Sequence, residues 1–257
     1  MRNLGKRPWA LVAGFALLTQ GLTGCCCEPT TSTSDLLISA DVIAMDQTET
    51  LVRVRLEYCP SWEGDVGTVE LGCGDRLSAE ALGERQELEP TTELRRGGYG
   101  TRAYTAEFPT AAAETEFQLS FQRPDEDDPP AETGTLPPPF EFTSPPPEEP
   151  VSREGDALSI TWEPSGTSDD MYLNLEWVDH SCVDDQPIGD PPEWHIPDTG
   201  SYVIEPGTLP PGPLFIPECT VRLILRRTRR PTNYALPCGT IDLALKQERS
   251  FTFVSVP

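Results

Sequence analysis

The sequence has little of what most catalytic and nucleic-acid sites need. Only two histidines occur, and 42 acidic residues outnumber 19 basic ones, giving a formal net charge of −23. That charge disfavours electrostatic association with nucleic acid or with anionic lipid headgroups. Leu, Ile, Val and Phe make up about 22% of the chain, just above the roughly 20% level below which charged chains stay disordered. Any core is therefore thin.

Familiar catalytic motifs are absent as well. The chain contains no Gly-x-Ser-x-Gly, no His-Glu-x-x-His and no Gly-rich phosphate-binding loop. Carboxylates are plentiful, so composition leaves a glycosidase-type pair open. A catalytic acid needs a pocket that raises its pKa, and small β-sandwiches with thin cores rarely enclose one. We therefore predict a protein that is not an enzyme, with no cofactor, catalytic residue or metal ion.

No apolar run in the sequence is long enough to span a bilayer. The longest stretch, from Trp9 to Leu18, follows the positive residues Arg2, Lys6 and Arg7. A spanning helix needs about 20 apolar residues, roughly twice this length. A positive start followed by a short apolar run is typical of a signal peptide.

The next residues, Leu22-Thr23-Gly24-Cys25, resemble the lipobox of bacterial lipoproteins. In that family a peptidase cleaves before the cysteine, whose thiol carries a diacylglycerol. The resemblance implies a signal peptide over 1–24 and lipidation of Cys25. Under the sorting rule of enteric lipoproteins, Cys26 in place of aspartate implies the outer membrane, facing the periplasm or the cell surface. Cys26 and Cys27 stay open as surface thiols, extra acylation sites or an intermolecular pair.

Alternating apolar and polar residues dominate the mature chain after a short tether over 25–34. This period of two predicts β-strands, and we place a first domain at 35–143. Residues 78–88 instead favour two helical turns, interrupted at Gly83. The predicted strands of this domain are 51–58, 66–71, 102–108 and 116–122.

A proline-rich segment separates the first domain from a second. Polyproline runs are extended and semi-rigid, so residues 144–150 are predicted as a linker. The second domain is predicted at 151–257. Its predicted strands are 156–162, 171–178, 201–205, 220–228 and 241–256.

The second half resembles fibronectin type III or immunoglobulin-like modules. The resemblance is carried by Trp162 on an early strand and by Gly-Ser-Tyr-Val-Ile-Glu-Pro-Gly-Thr-Leu at 200–209. It implies an all-β fold with two tandem sandwiches after the signal peptide, the first half being a diverged relative. The segment Leu136…Phe140-Glu141-Phe142 is also like the start of such a module, which leaves the boundary open by several residues.

Five cysteines remain in the body, and disulfides persist outside the cytoplasm. Cys59 and Cys73 are the only candidate partners in the first half, so a disulfide between them is predicted. If 51–58 and 66–71 form a hairpin, however, these two cysteines lie at its opposite ends. In a fibronectin-like sandwich the strands beside Cys182 and Cys219 are antiparallel neighbours, so the resemblance favours that pair. Cys238 is then predicted to be unpaired, or bonded to an anchor cysteine or another chain.

Two groups of residues are candidate contacts for a partner. Trp62 and Trp194 lie in segments rich in Pro and Gly. They either cap a core or contact a sugar or protein from a loop. Arg226 and Arg227 begin the one basic cluster, which either pairs with nearby acids or docks an acidic partner.

For two further groups of residues, metal binding is the more specific alternative interpretation. Zinc held by His180, Cys182 and His195 lacks the second matched pair that closed zinc sites use. Calcium at the acidic run 125–128 needs six to eight oxygens in a cage, which neighbouring side chains seldom provide. Solvated surface charge is the simpler interpretation of that run.

These features together predict an outer-membrane lipoprotein with a binding or scaffolding role in the cell envelope. The predicted partners are the membrane, through the lipid anchor, and an envelope protein or polysaccharide. Nucleic acid is not expected. The alternatives are a carbohydrate-binding accessory of a secreted hydrolase and a calcium-dependent adhesion module.

Overall fold

The computed structural model describes residues 32–59, 69–72, 74–94, 100–124, 126–144, 146–178, 193–209, 218–231 and 238–257. Within these ranges the regular structure is β-strand, apart from one turn of 3₁₀ helix at Thr33–Asp35. None of the described residues belongs to a helix with the length and apolarity that crossing a bilayer requires. The predicted all-β class is confirmed.

Eight strands lie in the first half of the chain: β1 Leu36–Ala44, β2 Thr50–Tyr58, β3 Arg76–Ala81, β4 Glu84–Glu87, β5 Glu89–Leu94, β6 Gly100–Phe108, β7 Glu116–Gln122 and β8 Ala131–Thr135. Eight more follow: β9 Glu141–Phe142, β10 Val151–Ser152, β11 Leu158–Glu163, β12 Asp170–Trp177, β13 Glu193–Ile196, β14 Ser201–Ile204, β15 Cys219–Arg229 and β16 Ile241–Val256. The predicted strands with clear alternation are confirmed, because one face of each is buried.

Two predicted elements of the first half differ in the structure. Residues 78–88 form parts of strands β3 and β4, joined at Leu82 and Gly83, whose φ angles are 55° and 77°. Positive φ at both central residues makes a two-residue hairpin turn, so the predicted helical turns are wrong. Of the predicted strand 66–71, residues 69–71 are not in a strand, and the others lie outside the described residues.

The strands form three sheets. A nine-stranded sheet has the order β13-β12-β15-β16-β1-β2-β6-β5, with β10 also pairing with β16. A four-stranded sheet has the order β4-β3-β7-β8, and a three-stranded sheet has the order β14-β11-β9. The predicted antiparallel pairing of the strands beside Cys182 and Cys219 is confirmed, since β12 and β15 are antiparallel neighbours.

Two apolar cores lie along the nine-stranded sheet. The first is built from β1, β2 and β6 together with the four-stranded sheet, and includes Leu56, Phe117 and Phe121. The second is built from β12 and β15 together with the three-stranded sheet, and includes Trp162 and Leu173. Each core therefore has the long sheet on one side and a smaller sheet on the other.

Strand β16 serves both cores. Ile241, Leu243 and Leu245 are in the first core, whereas Phe253 is in the second and Phe251 packs against it. The strand pairs in parallel with β1 over residues 241–247 and antiparallel with β15 over residues 245–255. Sixteen residues at about 3.3 Å each give a strand of roughly 50 Å.

The chain passes from one core to the other earlier than the predicted linker. Leu136 is buried in the first core and Phe140 in the second, so the crossing segment is 137–139. The predicted range 35–143 therefore includes residues that pack in the second core. The predicted range 151–257 includes residues 241–247, which complete the first.

Candidate functional site

The inward face of the nine-stranded sheet changes from apolar to polar between the two cores. Odd-numbered residues of β16 point inward, so Gln247 and Arg249 continue the line of buried residues between Leu245 and Phe251. Odd-numbered residues of β15 do the same. We call the four inward polar residues the polar belt: Arg227, Arg229, Gln247 and Arg249.

Arg227 is one of two members of the polar belt with no exposed surface, the other being Gln247. Its Nη1 donates to the carbonyl of Pro138 at 2.8 Å, and its Nη2 donates to the carbonyl of Pro164 at 2.6 Å. The same Nη2 lies 3.1 Å from a carboxylate oxygen of Asp198. A buried charge with these partners is strongly held, because removing either partner leaves the other uncompensated.

Asp198 is held as a carboxylate by several donors. It accepts hydrogen bonds from Trp162 Nε1 at 2.8 Å and from the hydroxyl of Thr167 at 2.6 Å. Burial by itself raises the pKa of Asp198. These hydrogen bonds and the charge of Arg227 lower the pKa by more than burial raises it, so the net pKa is below its ordinary value. The Arg227–Asp198 pair is therefore charged at neutral pH.

The belt also supplies donors to the proline-rich crossing segment. Gln247 Nε2 donates to the carbonyls of Ala111 and Pro137 at 3.1 and 3.2 Å. Proline has no backbone N–H and cannot join a sheet ladder on both sides, while its buried carbonyl still needs a donor. Side chains of the belt satisfy these carbonyls and fix the segment against the sheet.

The other two belt arginines connect residues from both halves. Arg229 lies 2.7 Å from Asp169 and 2.8 Å from Glu114. Its hydrogen bond to Asp169, together with the bonds and charge of Glu114, raises the pKa of Arg229. Arg249 lies 3.0 Å from Glu141 and donates to the carbonyl of Ala44 at 3.4 Å. The two cores are therefore joined by ion pairs as well as by strand β16.

A cavity of about 350 Å³ opens beside the belt. Its lining includes Ala111, Pro139, Phe140 and the carboxylates Glu141 and Glu163. Burial raises the pKa of Glu141, but hydrogen bonds from Gln47 and Arg249 outweigh it and the net pKa is lowered. A general acid needs a shift in the opposite direction, so the surroundings of Glu141 do not favour that role.

Two arginines were predicted to contact a partner, and for Arg227 that prediction is wrong. It is buried in the polar belt because odd positions of β15 face inward. Arg226 faces outward, where it lies 2.7 Å from Glu248 and 3.4 Å from Glu193. The basic cluster is thus divided between the two faces of one strand, and these acids neutralise its outward member.

The predicted contact tryptophans have different outcomes. Trp194 lies on the edge strand β13, not in a loop, and packs half-buried against the second core. Its core-capping interpretation fits this position. Trp62 lies outside the described residues, as do Cys25, Cys73 and Cys182.

The structure corrects the predicted disulfides. Cys59 is bonded to Cys238, with the two Cα atoms 5.9 Å apart, so the predicted pair with Cys73 and the unpaired Cys238 are wrong. The reason is topological: β2 is antiparallel to β1 and β16 is parallel to it. The end of β2 and the start of β16 therefore meet at one end of the sheet. Cys219 is disulfide-bonded, and its pairing with Cys182 stays a prediction.

The metal alternatives gain no ligand set in the described part of the chain. No group of three His, Cys, Asp or Glu side chains there is placed to hold a metal ion. In the acidic run, the Glu126 carboxylate accepts from the Thr33 hydroxyl at 2.6 Å and lies 3.9 Å from Arg123. His195 lies 3.1 Å from Asp170, while His180 lies outside the described residues.

Sequence reasoning missed Gln247, Arg249 and Asp198. A signal for the first two was present, because the alternation that places Leu245 and Phe251 inward also places 247 and 249 inward. Polar residues on an apolar face indicate a junction or a site. No such signal identifies Asp198, which lies between β13 and β14 outside any strand.

Comparison with known proteins gives no family for the chain. No protein-family model matches it, and no curated protein matches it. The full ectodomain of mouse nectin-like molecule 4 (Ig1–Ig3) is similar at 10% identity and a TM-score of 0.26, covering 86% of this chain and 64% of that one. Drosophila OTK extracellular domains 3–5 are similar at 10% identity and a TM-score of 0.22, covering 88% of this chain and 66% of that one. The chain spans less than two thirds of either, and scores this low carry no argument.

Proposed function

We propose that the protein is a lipid-anchored component of the outer membrane with a non-catalytic binding or scaffolding role. The observation that carries this proposal is the disulfide between Cys59 and Cys238. Structural disulfides persist outside the cytosol, which is the compartment that the Leu22-Thr23-Gly24-Cys25 motif also indicates. Two independent features of the chain therefore agree on where it folds.

The arrangement of the strands is compatible with a folded part that is attached to the membrane through the tether 25–34. The described chain enters at Ser32, and β1 begins at Leu36, whose carbonyl accepts from the backbone N–H of Gly239 next to the Cys59–Cys238 disulfide. Strand β16 runs from this end through both cores. A lipid on Cys25 would therefore leave the end of β16 near Ser255 as the part farthest from the membrane. We call this the far end.

The finer fold assignment is also a proposal. Two immunoglobulin-like or fibronectin type III-like sandwiches would share the nine-stranded sheet, each completed by one of the smaller sheets. Two separate buried clusters support this assignment. The polar belt then joins the two sandwiches into one spacer.

The intact mass of the protein extracted from native membranes tests the anchor. We expect cleavage before Cys25 and the added mass of a diacylglyceryl and an acyl group. Cys25→Ser should abolish both, whereas the neighbouring Cys26→Ser should keep them. An unlipidated mass for the unaltered protein, or loss of lipid in Cys26→Ser alone, would overturn the proposal.

A further inference from the structure

Arg153 is a buried arginine at the far end of the second core. It directly follows β10, which pairs with the last residues of β16, and only 6% of its surface is exposed. Burying a guanidinium is costly unless an opposite charge compensates it. Burial lowers the pKa of Arg153, and no carboxylate acts to raise it.

The polar contacts of Arg153 use only part of its guanidinium. Nε donates to the hydroxyl of Ser255 at 3.0 Å, and Nη2 donates to the carbonyl of Ser255 at 3.2 Å. A guanidinium carries five N–H groups, and the other three find no acceptor in the described part of the chain. None of its nitrogens is both enclosed and unpaired, so its outer edge reaches solvent.

Packing holds the guanidinium in this position. It lies over the ring of Trp177, 5.9 Å from the ring centroid, within the range of a cation–π contact. Ser255 itself is fully buried on the inward face of β16. The charge is therefore fixed in place before any ligand arrives, which reduces the entropy lost on binding.

Among the described residues no carboxylate lies beside Arg153, which is unusual in a chain whose acidic residues outnumber basic ones by more than two to one. The other two fully or nearly buried arginines in the described part, Arg227 and Arg249, each have one within 3.1 Å. No described residue therefore supplies an anion to Arg153.

We infer that Arg153 is the anion-binding residue of a ligand site at the far end, and that its ligand carries an oxyanion, either a carboxylate or a phosphate. The planar fork of arginine matches both groups with two parallel hydrogen bonds. This inference deepens the proposed function by giving the binding role a ligand class. It uses the anchor only to state which end faces away from the membrane.

Thermal unfolding in different anions tests the site. The protein, purified with its native N-terminus whether lipidated or not, is melted while acetate or phosphate replaces chloride at constant ionic strength. We expect the better-matched anion to raise Tm by roughly 3 °C at ten times its Kd, which follows from ligand linkage for a chain of this size. A response to acetate identifies a carboxylate ligand, and a response only to phosphate identifies a phosphate.

Two variants separate the site from a general salt effect. Arg153→Met should abolish the anion-dependent rise, whereas Arg222→Met should keep it. Arg222 is the matched control because it is an exposed arginine on the outward face of the neighbouring strand β15. Equal rises in both variants, or no rise in the unaltered protein, would overturn the inference.

A second measurement keeps the inference testable if Arg153→Met does not fold. The Nε–H resonance of Arg153 in a ¹⁵N-labelled sample should shift on titration with acetate or phosphate, with saturation, while that of Arg222 stays in place. If Arg153 had only a structural role, both resonances would stay unchanged in every anion.

Discussion

Arg227 and Arg153 are both buried arginines beside the same core, yet their surroundings are opposite. Arg227 has a carboxylate and two backbone carbonyls within 3.1 Å. Arg153 has one serine and the face of a tryptophan. Arg227 uses its donors to hold the two cores together, whereas Arg153 keeps three N–H donors without an acceptor among the described residues. A buried charge therefore indicates a ligand only where the fold has not already supplied its counter-ion.

The largest effect should come from removing Arg227. Arg227→Met leaves the Asp198 carboxylate without its cation and two proline carbonyls without a donor, so we expect a loss of about 3–5 kcal/mol in the free energy of unfolding. Arg153→Met in chloride buffer should cost less, about 1–3 kcal/mol, because it leaves the buried Ser255 hydroxyl without its donor but leaves no described carboxylate unpaired. Urea unfolding followed by circular dichroism measures both. Equal losses would remove the distinction between the two arginines.

Asp198→Asn sharpens the same comparison through pH. We expect a cost of about 1.5–3 kcal/mol at pH 7, the range for hydrogen bonds to charged groups, because the asparagine amide keeps one oxygen as an acceptor for Arg227. The lowered pKa of Asp198 means that its contribution is complete above the unfolded value of about 3.9 and is lost as pH falls through the folded value. Urea unfolding between pH 5 and pH 2 should therefore show a shallower acid decline in the variant. Arg153→Met should decline as the unaltered protein does.

Gln247→Leu tests how firmly the crossing segment is held. The change removes the donor to the carbonyls of Ala111 and Pro137, and leaving such groups buried without a partner costs about 1–3 kcal/mol. The control is Gln118→Leu, at an exposed position of β7, which should cost less than about 0.5 kcal/mol. The midpoint of urea unfolding is the measurement. Similar midpoints for the two variants would show that the belt does not hold the segment.

The smallest effect should come from Arg226, the neighbour of Arg227 on the outer face. Its ion pairs with Glu248 and Glu193 are about one fifth exposed on the arginine side. Exposed pairs contribute about 0.2–1 kcal/mol and are screened by salt. Arg226→Met should therefore cost less than about 1 kcal/mol, and the difference should shrink in 1 M NaCl. A cost close to that of Arg227→Met would contradict the inward–outward assignment of β15.

The parts of this fold that follow from the sequence are those with local alternation. Strands β2, β7 and β16 could be located because their apolar residues recur every second position. The β3–β4 hairpin differs from the predicted helical turns because Leu82, at a positive φ angle, gives no turn signal as glycine or asparagine would. Residue type alone did not reveal that conformation.

The site could be predicted less well than the fold, since it depends on which strands become neighbours. Cys59 and Cys238 are separated by 179 residues, and nothing near either one indicates the other. Arg226 and Arg227 look equivalent in a basic run, whereas one position along a strand reverses the face that a side chain points to. Asp198 becomes a counter-ion only when β13, β12 and β15 lie side by side in the sheet and bring it to Arg227.

Strand β16 has a consequence for how the protein is made. Its residues 241–247 complete the first core by pairing with β1, which lies some 200 positions earlier in the chain. During synthesis the earlier residues emerge first, and β1 then lacks its parallel neighbour. Its unpaired edge is open to association with other chains until β16 arrives. The first core and the Cys59–Cys238 bond can therefore close only after nearly the whole chain has been made.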